Sequence, residues 1–260
     1  MDMASAPADN GEWVLRLPSE AGKRLFWTLN GPLEAAIQVA PSEFYEPGDV
    51  METYFGPDGS PHPVSQASPF EPPVSSITAR VRCFDTWEHN WDSLHRLCGE
   101  YDDNPYPRRR GPRPDGETPD RLYLIECCGE KRPWAYNTFL QVTTQGELLT
   151  VHEYVSAVHP WLMAMRDTLL DVLGKIDDQP KLPSETKLAV LHLSPYALII
   201  DHEDKWVTWH RKPPAPDPAA AQLSFEERQR LTMEREMARS AALIRAREEA
   251  SALSRGARVD

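Results

Sequence analysis

Histidine and cysteine are the side chains best suited to ligate metals or move protons, and this chain has eight His and four Cys. Their spacing decides what each could do. His89, Asp92 and His95 recur at i, i+3 and i+6 on a predicted helix. Metal-binding histidines on one helix sit four residues apart, so that both imidazoles reach one ion. Six residues turn two side chains about 120° apart, so the spacing predicts a polar helix flank and no metal site. His152-Glu153 has the opening of a zinc-protease helix. That pattern needs a second histidine four residues on, and Ser156 stands there. Cys83 and Cys98 are isolated, Cys127 and Cys128 are adjacent, and there is no CxxC pair. Neighbours on a strand point to opposite faces. The expectation is four reduced thiols, mostly in the core, with no metal and no cofactor.

Val158-His159-Pro160-Trp161 lies inside the strongest helical pattern of the chain. Pro160 has no amide hydrogen, so the Ser156 carbonyl loses its helical partner. An imidazole, an indole and a released carbonyl at a helix junction are suited to hold a small molecule. His159, Trp161 and Ser156 are therefore the ligand-binding candidates, weighed against a junction in which His159 is simply half-buried and hydrogen-bonded. No GxSxG elbow, phosphate-binding Walker loop or GxGxxG turn occurs. No catalytic residue can be assigned from the sequence.

The formal net charge is −12. Residues 223–260 carry eight Arg against seven Asp or Glu, so the acidity belongs to the preceding body. An acidic body disfavours nucleic acid and anionic membranes as partners. Arg108-Arg109-Arg110 is a short basic knot in a Pro-rich stretch and reads as a solvated loop. No apolar run is long enough for a membrane span. Met1–Gly11 lacks the pattern of a signal peptide, and the thiol usage is that of a reducing compartment, so a cytoplasmic, intracellular protein is expected.

The elements that must position these residues follow from periodicity. Residues 25–29 and 77–83 read as strands, as do 122–128, 134–144 and 186–193. The last is apolar on both sides and so central in its sheet. Asp85 or Thr86 is expected to cap a helix running to about Cys98, with Trp87, Trp91, Leu94 and Cys98 as its apolar stripe. Thr150 and Glu153 form a capping box. It opens a helix whose stripe Val151, Val155, Val158, Leu162, Met165, Leu169 and Val172 keeps phase through Pro160 to a C-cap at Gly174. The predicted class is α+β: an antiparallel-rich sheet with helices on one face. Residues 77–193 follow the β-α-β-β-α-β order of a split βαβ, ferredoxin-like unit.

The predicted organisation has five parts. Residues 1–12 form a disordered N-terminus and 13–212 the globular α+β domain. A Pro-rich linker spans 213–222, a solvated helix 223–255, and a disordered tail 256–260. The helix carries a small apolar patch at Met233, Met237 and Ile244, suited to a protein partner or to self-association. The functional expectation is a non-catalytic interaction protein using that helix. The alternative is a small-molecule binding protein or enzyme with its site at the His159-Pro160 junction.

Overall fold

The computed structural model describes residues 15–96, 98, 108–114, 116, 120–135, 138–213, 227 and 230. Contacts divide the chain into two compact units, Met1–Lys212 and Pro213–Asp260. Met233, Met237 and Ile244, with nearly all of the predicted linker and predicted C-terminal helix, lie outside the described residues.

The first unit opens with β1 (Leu17–Pro18), α1 (Glu20–Lys23), β2 (Leu25–Thr28), α2 (Leu33–Ala36), β3 (Ile37–Val39) and β4 (Glu52–Thr53). Next come β5 (Phe70–Glu71), β6 (Ser76–Arg80), α3 (Arg82–His95), β7 (Arg109–Gly111), β8 (Tyr123–Cys127), β9 (Glu130–Lys131) and β10 (Phe139–Thr143). It closes with α4 (Val151–Ala164), α5 (Arg166–Ile176), β11 (Leu188–His192), β12 (Ile199–His202) and α6 (Lys205–His210). Helices and antiparallel sheets are thus mixed in one unit, the α+β class that periodicity predicts.

The main sheet is β12-β11-β2-β3-β4, with every described pairing antiparallel. β11 is central and buried on both faces. Leu188 and Val190 join the large core with Trp27, Tyr154, Val155 and Val158. Ala189 and Leu191 face the other way, toward Trp206 of α6. Helices therefore cover both faces of the main sheet: α4 on one, α6 on the other. The ferredoxin-like arrangement is not made. β6 pairs with β10, β8 with β7 and β9, and β11 with β2 and β12. Element order was compatible with one sheet, but pairing is non-local, and the apolar faces find partners in three.

Local signals fared better. The capping box is formed: Thr150 Oγ1 accepts from the Glu153 amide at 3.1 Å, and Glu153 accepts from the Thr150 amide at 2.9 Å. The stripe from Val151 to Val172 faces the core, with Val151, Val155, Val158, Leu162, Leu169 and Val172 all fully buried. α4 runs on through Pro160, whose ring is exposed. Periodicity allowed one kinked helix or two helices meeting near His159; the second is not formed there, and the break between helices lies at Met165 (φ −99°, ψ 3°), where α5 begins. Solvent beside an exposed proline can serve the carbonyl that it orphans, so the helix need not end there. Gly174 is not the C-cap, because α5 continues to Ile176. A Cβ at Gly174 would lie 2.2 Å from the Pro180 carbonyl oxygen. Glycine is there to let that returning chain pass.

Candidate metal centre

α3 starts at Arg82, with Val81 as its N-cap, and not at Asp85 or Thr86. The alternation read through Cys83 stops early because Val81 bridges Leu198, and the Arg82 amide donates to the Leu198 carbonyl at 3.0 Å. This changes which face of the helix is covered. Leu94, expected in the apolar stripe, is 73% exposed. Cys83, Phe84 and Trp87 pack on the main core and α5, while the face made by Glu88, Trp91, Asp92 and His95, at i, i+3, i+4 and i+7, is covered by the β8–β9 hairpin.

Arg132, just past β9, clamps hairpin to helix. Its side chain is only 10% exposed, with Nε donating to Glu88 Oε1 at 3.0 Å and Nη1 to Asp92 Oδ1 at 2.8 Å. The guanidinium also lies 4.8 Å from the centre of the Trp134 ring. The second Glu88 oxygen accepts from the Ala135 amide at 3.0 Å. A charge pair this desolvated fixes register, because breaking one partner strands the other.

Register matters because of what it brings together. His95 and Cys98 at the end of α3 meet Cys127 and Cys128 at the hairpin tip, with one ligand atom from each lying within 4.8 Å of all the others. Adjacent cysteines on a regular strand would point apart. Here Cys127 ends β8 facing inward, while Cys128 (φ 55°) and Gly129 (φ 80°) form the two-residue turn to β9. Two successive left-handed residues are what a tight type I′ hairpin requires. That conformation swings the Cys128 thiol round to the same point as Cys127, with their sulfurs 3.7 Å apart.

Two of the separations are those of a tetrahedral ion's ligands. Zn–S bonds of about 2.3 Å and Zn–N bonds of about 2.0–2.1 Å set neighbouring S···S distances at about 3.8 Å and S···N at about 3.6 Å. Cys127 Sγ to Cys128 Sγ is 3.7 Å, and Cys98 Sγ to His95 Nδ1 is 3.8 Å. His95 Nε2 points to the Glu130 carboxylate at 3.6 Å. A carboxylate behind the distal nitrogen orients a ligating imidazole and favours the tautomer with Nδ1 free to bind. The Trp91 ring lies against His95, centroids 4.5 Å apart, and limits its rotation.

Without a cation, the ionisation of Cys98 and of Cys127 is hindered. The Cys128 thiol beside Cys98, followed by burial, pushes Cys98 up. Burial, followed by Cys128, pushes Cys127 up to about 11. A bound dication reverses this, since metal thiolates are deprotonated outright. The fourth cysteine is different in kind. Cys83 lies in the core, and burial raises its thiol to about 12.

The sequence spacing weighed His89 against His95, and the structure sets a different pair side by side. His89 and His95 indeed diverge, but His95 pairs with Cys98, three residues on. The legible signals were His95-x-x-Cys98 and a Cys-Cys-Gly turn between strands. The basic knot is likewise no loose loop: Arg109 lies in β7 and pairs with Glu126 at 2.8 Å.

The structure places the other candidates inside the fold. His159 is 3% exposed. Its Nδ1 accepts from Trp27 Nε1–H at 3.0 Å, which leaves the proton on Nε2 to donate to the Gly31 carbonyl at 2.9 Å. Both ring nitrogens are engaged within the chain. Trp161 is half-buried against the main core, and Ser156 is half-buried on the same helix.

Burial holds the His159 pKa below its ordinary 6.5, outweighing the Gly31 carbonyl and Glu34, which pull it up. The unfolded chain takes up a proton near 6.5 and the native chain does so only lower. This contribution is complete above pH 6.5 and is lost as pH falls from there through the folded value. His192 and His210 are lowered by burial in the same sense. Denaturant midpoints are expected to fall between about pH 7 and about pH 5.5. His159→Gln, which can keep one acceptor and one donor, should show a shallower fall than wild type. Equal slopes would show that His159 does not titrate between the native and unfolded states.

No family model, curated protein or solved structure matches the chain. The site therefore stands on its own geometry.

Proposed function

We propose that this is a zinc-stabilised, non-catalytic protein that acts by binding a protein partner. The observation that carries the zinc reading is the convergence of one His nitrogen and three Cys sulfurs from two elements within 4.8 Å. A thiolate-rich tetrahedral set selects zinc among the common divalent ions. Four protein ligands fill a tetrahedral shell and leave no position for water or substrate, which is the arrangement of structural zinc and not of catalytic zinc. The ion would join the end of α3 to the β8–β9 hairpin, where the local cluster of Trp91, Leu124 and Cys127 is small. Partner binding through residues 223–255, with Met233, Met237 and Ile244 as its apolar contacts, is supported by the composition of that segment.

The test is metal analysis of the full-length protein purified under reducing conditions. One zinc per chain is expected. Cobalt substituted for it should give the intense visible bands of a tetrahedral site and thiolate-to-cobalt charge transfer in the near ultraviolet. Protein with no zinc, and with no uptake on titration, would end the metal reading. Removing residues 219–260 should leave the zinc content unchanged and weaken association. Unchanged association would end the partner reading alone.

A further inference from the structure

The three sulfurs of the cluster are not equivalent. Cys127 is 0% exposed. Cys98 and Cys128 are half-exposed, and a groove of about 750 Å³, lined by Trp87, Leu94, His95 and Glu130 among others, opens at the His95 side. Cys98 lies three residues past the end of α3 and Cys128 occupies the hairpin turn, so both accessible sulfurs lie at the seam between the two elements. Their Sγ atoms lie within 4.8 Å of each other, a gap that side-chain rotation can close to the roughly 2.05 Å of a disulfide. A link between Cys127 and Cys128 is disfavoured. It would close a small ring through their own peptide bond and strain its planarity.

Resting on the zinc reading, we propose that the centre is a two-electron redox switch, in which a peroxide joins Cys98 to Cys128 and expels the ion. The zinc-bound thiolate at one position attacks a peroxide oxygen. The O–O bond breaks, a sulfenic acid forms, and the released oxygen leaves as water after taking up a proton. The second thiolate attacks the sulfenic sulfur. An S–S bond forms and the remaining oxygen departs as a second water with a second proton. Two thiolates have lost two electrons and one hydrogen peroxide has gained them. Zinc is left with His95 and Cys127 alone, two ligands that cannot hold it. The oxidised chain keeps the tether between α3 and the hairpin, now as a covalent bond, so the switch exchanges one cross-link for another without unfolding the unit. Thiols of this kind sit on the reversible rung of the oxidation ladder because a partner thiol is within reach.

The experiment uses full-length, zinc-loaded protein freed of excess metal and reductant. Hydrogen peroxide is added stepwise in the presence of a chromophoric zinc chelator, and the products are read by intact mass and by peptide mapping. Zinc is expected to fall from one per chain to none as the mass drops by two hydrogens. The mapped link should join Cys98 to Cys128, with Cys83 still a free thiol. Reductant with added zinc should restore the starting state. The switch is overturned if zinc is retained at peroxide doses that oxidise a small-molecule thiol in a parallel tube. Release with only sulfinic or sulfonic products, or with a Cys127–Cys128 link, overturns it too. Metal content before peroxide is scored first. No zinc at that point fails the centre itself, whereas zinc bound and retained fails only the switch.

Discussion

Stripping the metal with a chelator is expected to lower the melting temperature of the full-length protein by about 8–16 °C. A ligand present at about 1,000 times its dissociation constant stabilises the native state by about 4 kcal/mol. For a unit of this size each kcal/mol moves the midpoint by about 2–4 °C. Cys127→Ser should melt near the chelated temperature and ignore further chelator. Cys127 is the right ligand to remove because it is fully buried and ends β8, where a hydroxyl can neither bind zinc well nor be solvated. Cys83→Ala separates this from the loss of any buried thiol. It removes a core sulfur of α3 that lies outside the cluster, so it should lower the starting midpoint but keep the full response to chelator. A wild-type protein that melts unchanged in chelator, or a Cys127→Ser protein that still responds, would sink the metal centre.

The difficulty of seeing the cluster of His95, Cys98, Cys127 and Cys128 in the sequence has an identifiable cause. A metal site is legible when its ligands are close in sequence and set by one element. His95 and Cys98 meet that condition as half a site, but the other half arrives 29 residues later. The rule that adjacent strand residues diverge was sound and did not apply, because Cys128 has left the strand. Its φ of 55° is set by the turn, and the following Gly129 was the residue that could have announced it. Topology was hidden for a similar reason. Residues 77–80 alternate cleanly, but alternation says that a strand has a buried face and not which strand lies beside it. The partner proved to be residues 139–142, more than fifty positions away. Capping chemistry, by contrast, is closed within four residues. Thr150 and Glu153 were readable because nothing distant could outvote them.

The same division between local pattern and covering partner can be put to a paired test on two helices. Val158→Asp is expected to prevent folding or to destabilise by more than about 4 kcal/mol, since it buries an unpaired carboxylate. Val158 has 0% of its surface exposed and sits among the side chains that join α4 to the main sheet. Leu94→Asp should change stability by no more than about 0.5 kcal/mol, the range of an open surface position. Leu94 belongs to an apolar stripe every bit as regular in the sequence, but it lies outside the covered parts of α3, which are packed by the main core and α5 and by the hairpin that Arg132 clamps over Glu88 and Asp92. Periodicity proposes both stripes; only the packed partner decides which is core. Denaturant unfolding of the two variants reads the difference directly. A near-normal midpoint for Val158→Asp would mean that α4 does not carry the core. A collapse of Leu94→Asp would mean that the hairpin does not sit on the face of α3 that places His95 among the three thiols.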